Sequence, residues 1–227
     1  MRKLFAVFSL IFCGYMGLCS VTAQAASSGF VTTACVDEEK AAIIERINLE
    51  IVTDEYLTSG IQCFDVREDG VYALAFDAGS NSRISVYSSD GLFQYGYMFS
   101  SDGDFAVEFH EGAIAIYFLR GDVFAVYDST GVCKEVRKVS NTNQNHIYAK
   151  EILDRSYKKT SDEEYYLDRN LEIGDAYSRF VVVNKDGEKT VMFDVSLEHT
   201  IEQLMLLIAP VCFFVFVIRG IWKKHMK

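Results

Sequence analysis

The chain runs to 227 residues, 50% of them apolar, with 32 acidic against 22 basic residues and a formal charge of −10. Setting aside two apolar ends leaves Ala26–Gln203, about one domain in size, with all 32 acidic residues and 16 of the basic ones. That balance of −16 excludes a nucleic-acid partner and repels anionic headgroups, while it suits cationic partners, divalent cations or plain solubility.

At the N-terminus, Arg2 and Lys3 precede the uncharged run Leu4–Val21 and the small residues of Ala23-Gln24-Ala25. A basic start, an apolar stretch and a small-x-small site predict a secretory signal peptide over 1–25, with an uncleaved anchor as the competing reading. An N-terminal segment, 26–59, follows. Within it Asp37–Asn48 places acids in a first turn and Ile43, Ile44 and Ile47 on one side, which predicts a short helix.

Residues 60–140 carry repeats. Ile84-Ser85-Val86-Tyr87-Ser88-Ser89-Asp90-Gly91 matches Phe124-Ala125-Val126-Tyr127-Asp128-Ser129-Thr130-Gly131 at an offset of 40, and a fainter copy stands at Phe180–Gly187. Each is a β-branched or aromatic run closed by a polar turn with glycine, the signal of a hairpin. Flanking runs such as Val71–Phe76 and Ala113–Leu119, with Asp69-Gly70 and Glu111-Gly112 before them, complete four-stranded antiparallel meanders.

The run Phe64–Ala75 and the Val-Tyr-x-Ser-x-Gly turns at Val86–Gly91 and Val126–Gly131 resemble blades of β-propellers of the NHL and six-bladed type. The resemblance covers 60–139 and extends weakly over 165–195. It implies meander units of about forty residues. Two clear units and one fainter one fall short of the four to eight blades of a closed propeller, so an open sheet, a sandwich or an association of chains is expected instead.

A polar connector, 141–163, with a weak helical pattern at Tyr148, Ile152 and Leu153, separates the second unit from a third β unit over 164–195. The chain then turns apolar. Leu204–Ile218 is 15 residues without a polar side chain, and with Trp222 it predicts a transmembrane span within a helix over 196–222. Arg219, Lys223, Lys224 and Lys227 form a basic anchor on the cytoplasmic side, leaving a tail of 223–227.

Motifs for chemistry are sparse. Cys35, Cys63 and Cys133 are an odd set for an exported domain, so one disulfide among them is open and its pair is not fixed by the sequence. No Cys-x-x-Cys, His-Glu-x-x-His, Walker or Gly-x-Ser-x-Gly pattern occurs. His110 beside Glu108 and Glu111 reads as a solvated turn, Asp102-Gly103-Asp104 as an acidic hairpin and Arg120-Gly121-Asp122 as a tight turn. No cofactor and no metal are expected.

The fold class expected is therefore mainly β: antiparallel meander repeats, a short N-terminal helix and one C-terminal transmembrane helix. The function expected is a membrane-anchored, extracytoplasmic binding module at a bacterial cell surface, single-pass with its C-terminus inside, meeting a protein or a glycan and able to form an oligomer. The alternatives are an accessory subunit acting through its transmembrane helix and an extracytoplasmic hydrolase.

Overall fold

A computed structural model of the chain describes residues 24–25, 29–55, 57, 60–77, 81–169, 177–196, 201 and 208. The N-terminal segment supplies β1 (Gln24–Ala25), β2 (Val31–Ala34), α1 (Asp37–Ile47) and β3 (Glu50–Val52). The first meander is β4 (Ile61–Val66), β5 (Tyr72–Asp77), β6 (Ser82–Tyr87) and β7 (Phe93–Phe99). The second is β8 (Phe105–His110), β9 (Ala113–Phe118), β10 (Val123–Tyr127) and β11 (Cys133–Val139). Helix α2 (Asn143–Leu153) leads to the third, β12 (Tyr157–Lys159), β13 (Glu164–Asp168), β14 (Arg179–Val183) and β15 (Lys189–Asp194). All neighbouring strands run antiparallel.

The outer hairpins share one device. A side-chain oxygen at the first turn position accepts the amide four residues on: Ser88 from Leu92 (3.1 Å), Asp128 from Val132 (3.0 Å) and Asn184 from Glu188 (2.9 Å). Short polar side chains stabilise such turns by replacing a backbone acceptor. The third unit, faint in sequence, thus closes its hairpin as the other two do.

The first meander lies between the other two. Cys63, Ala73, Ala75, Ile84, Val86, Tyr97 and Phe99 share a core with the second meander, where Phe99 meets Phe105 edge-on at 5.0 Å. The alternate residues Phe64, Val66, Tyr72, Leu74 and Phe76 share a separate core with the third, where Phe180 stands 5.2 Å from Phe64 and 4.6 Å from Tyr72. A sheet buried on both faces needs apolar residues at successive positions, which is why β5 reads Tyr-Ala-Leu-Ala-Phe without polar interruption. Each fully buried large side chain contributes about 1.5–3 kcal/mol.

The far face of the second meander is covered by α2. Phe30 wedges there, 4.7 Å from Tyr117 and 4.8 Å from Tyr148. Asn145, 2% exposed, fixes the helix to the N-terminal segment: its Oδ1 accepts from Val31 N (2.8 Å) and its Nδ2 donates to Val31 O (2.7 Å). Thr142 caps α2 by accepting from Asn145 N at 3.2 Å. Two strands join the outer edges: β2 pairs with β11, and β3 with β7.

Two expectations at the chain ends are corrected. Among the described residues no helix is long and apolar enough to cross a membrane. The described fold is mainly β with two short helices, and its two cores lie between neighbouring meanders. Leu204, Ile218 and Trp222 of the expected span, and Arg219, Lys223, Lys224 and Lys227 of the expected anchor, lie outside the described residues. The signal peptide expected over 1–25 finds no support among the described residues: residues 1–23 lie outside them, and Gln24 and Ala25 pair with Thr32 and Val31.

Candidate functional site: an ionic hub and a groove on the turn face

The first strands of the three meanders, β4, β8 and β12, meet at a cluster of charged side chains. Asp65 of β4, with 3% of its side chain exposed, accepts on Oδ1 from Arg155 Nη1 (2.6 Å) and Lys158 Nζ (2.7 Å). Its Oδ2 accepts from the Phe109 amide of β8 at 2.8 Å. Glu108 of β8 accepts from Arg155 Nη2 (3.1 Å) and, on both oxygens, from Tyr148 Oη (2.8 Å).

Burial raises the Glu108 carboxyl above its usual range, against the opposing pull of Tyr148 and Arg155. Burial works to lower the Arg155 guanidinium, but Asp65 and Glu108 outweigh it and hold the group above its usual value. Every carboxylate oxygen here has a donor, and both cations have acceptors. Both carboxylates are engaged by cations and donors of the fold itself. The hub therefore ties the three meanders together.

Open surface lies instead on the face that carries the turns. Between the first two meanders a groove of about 410 Å³ is walled by Arg67, Val71, Gln94, Tyr95, Phe109 and Ser129. It meets a second hollow of about 330 Å³, beside His110, Asp128, Lys134 and Glu135, at Gly112 and Ser129, which line both. Tyr95 and Phe109 are half-buried, and Gln94 and Ser129 are exposed. Tyr95 rests edge-on against Tyr97 at 5.5 Å, and the Arg67 guanidinium lies 5.7 Å over the Phe109 ring.

The charges on these walls are mostly matched within the fold. Arg67 pairs with Asp69 (2.5 Å), Lys134 with Asp128 (2.7 Å), and Glu135 with Arg137. The Asp69 carboxyl sits below its usual range because of the Arg67 hydrogen bond, and Asp128 well below it because of Lys134 and then Thr130. The outcome is a furrow with an aromatic and aliphatic floor and neutral hydrogen-bonding groups at its edge.

The residues singled out by sequence fall in different places. Cys35, Cys63 and Cys133 are all free thiols. Cys63 is buried between the first two meanders, its Sγ 3.6 Å from Phe105 O, and burial pushes its pKa up to about 12. Cys133 lies half-buried on β11, and Cys35 lies between β2 and α1. His110 ends β8 and packs edge-on to Phe124 at 5.8 Å. Arg120-Gly121-Asp122 forms the turn between β9 and β10, where Asp122 accepts from Tyr117 Oη at 3.0 Å. Asp102-Gly103-Asp104 leads into β8, with Arg120 Nη1 donating to Asp102 O at 3.2 Å. Among the described residues no three His, Cys, Asp or Glu side chains gather as a metal site would require.

Sequence reading missed both the hub and the groove. Arg155 and Lys158 are 90 and 93 positions from Asp65, and no local pattern links them. Tyr95 and Phe109 each fit a strand pattern that by itself signals only core. Compared with known protein families and with curated proteins, the chain matches none.

Proposed function

We propose that the chain is a non-catalytic binding module, built of three blade-like meanders, that takes its ligand in the groove between the first two. The observation that carries this reading is the pairing of two half-buried aromatic side chains, Tyr95 and Phe109, with the exposed amide of Gln94 and hydroxyl of Ser129 in one concave surface. Binding sites combine apolar floor with a few convergent polar groups in this way. The hub supports the non-catalytic part, since both of its buried carboxylates are paired with Arg155 and Lys158 of the fold.

The test is a binding screen of the full chain against immobilised oligosaccharides and extended peptides, with Tyr95→Ala and Gln94→Ala alongside. A ligand retained by the wild type and lost by both variants supports the reading. Ligands that bind all three proteins equally, or products released from any substrate offered, overturn it.

A further inference from the structure

We infer that the ligand of this groove is a neutral, extended oligosaccharide. The inference rests on the binding-module reading and adds the chemical class. Three observations favour it.

First, the walls present little uncompensated charge. Arg67, Asp128, Lys134 and Glu135 are each in an ion pair of the fold. A charged ligand would have to compete with such a surface pair, whereas a neutral one leaves all of them intact. Glu111, exposed on the turn before Gly112, has no ion pair among the described residues, and it is a single charge at the rim.

Second, the neutral polar groups suit hydroxyls. Gln94 is exposed, its Nε2 donates to Leu92 O at 3.2 Å, and its Oε1 is an acceptor by chemistry. The Ser129 hydroxyl both donates and accepts. Polyhydroxylated rings offer both roles at short spacing, and their C–H faces rest on aromatic and aliphatic surface of the kind Tyr95 and Val71 provide, beside the Arg67-covered ring of Phe109.

Third, the space is long. The two hollows adjoin at Gly112, whose φ of +82° lets the turn close with no side chain, and a Cβ there would meet nothing within 4 Å. A chain of several sugar units can therefore lie across this saddle from the first meander to the second.

The experiment measures affinity of the full chain for cello-, chito- and malto-oligosaccharides as the neutral set, with oligogalacturonate, heparin fragments, chitosan oligomers and extended peptides as controls. We expect a neutral oligosaccharide to bind with a Kd that changes less than about twofold between low and high salt. We expect Tyr95→Ala to weaken it about tenfold or more, and Gly112→Asn, which tolerates positive φ, to weaken longer oligomers more than short ones. Exposed Ile147→Ala, on α2 away from the groove, should leave it unchanged.

Binding confined to charged sugars, or steeply salt-dependent, overturns the neutral class. A peptide that binds and is lost with Tyr95→Ala also overturns it while leaving the groove reading in place. Binding indifferent to Tyr95, Gln94 and Gly112 overturns both.

Discussion

Arg155, on the segment after α2, donates to Asp65 of β4 at 2.6 Å across 90 residues of chain. One guanidinium thereby links the first meander to Glu108 of the second while standing at the entrance to the third. Few places in the fold concentrate so much long-range information in one side chain.

Breaking that pair should be costly. Arg155→Met leaves Asp65 and Glu108 buried with one cation fewer, and removal of one member of a buried pair costs about 3–5 kcal/mol. Urea unfolding of the variant should show an unfolding free energy lower by that amount, with a correspondingly lower midpoint. The double variant Asp65→Asn/Arg155→Met should lose less than the two single changes combined. Simple additivity would mean that the two side chains act independently.

Glu108 makes stability depend on pH. Its folded-state pKa lies above the ordinary carboxyl value, mainly through burial. The neutral acid is therefore favoured in the fold, and its contribution is complete below the ordinary carboxyl range and declines as pH rises through the raised value. Relative to the wild type, Glu108→Gln should gain stability as pH rises out of the ordinary carboxyl range and through the raised value. Asp69 and Asp128, both lowered, act in the opposite direction and weaken the fold as pH falls. Thermal unfolding of wild type and Glu108→Gln across that range checks the sign.

The shared hairpin device yields a substitution rule. Asn184→Ala removes the acceptor of the Asp186 (3.1 Å) and Glu188 (2.9 Å) amides and should cost about 1 kcal/mol. Asn184→Asp, which imports the group used at Asp128, should cost much less. Thermal melts of the two variants discriminate them.

Glycine substitutions separate steric from conformational cost. Gly29 and Gly187 both have positive φ, but a Cβ at Gly29 would stand 2.8 Å from the Tyr148 ring, whereas one at Gly187 meets nothing within 4 Å. Both alanine variants carry the backbone penalty of about 1–2 kcal/mol. Gly29→Ala should lose more, because Tyr148 cannot yield without disturbing its bonds to Glu108. Chemical denaturation of each variant measures the difference.

Cys63 should be chemically silent. Its thiol is fully buried and its pKa is pushed up to about 12, so almost no thiolate is present near neutral pH. Alkylation followed by peptide mapping should leave it unmodified in the folded chain and label it after denaturation.

Much of the strand pattern was legible because it is written locally. Asp90-Gly91 and Thr130-Gly131 mark their turns within a few residues, and Asp37–Ile47 shows its helix by acids and spaced isoleucines. The short strands β2 and β3 have only four and three residues, too few for alternation to register, and pairing across the fold decides their state. Helix α2 was visible only as a weak pattern because its buried positions include the polar Asn145. The hub was invisible for a different reason: Asp65, Glu108, Arg155 and Lys158, each taken alone, look like solvated charges. The apolar run 204–218 spoke for a membrane span, yet among the described residues apolar side chains are buried by sheet against sheet.

Helix α2 and Phe30 seal the far side of the second meander. Duplication of the unit at that end, in evolution or by design, would therefore first have to displace the helix and the wedged ring, so growth of the stack there carries the loss of both contacts.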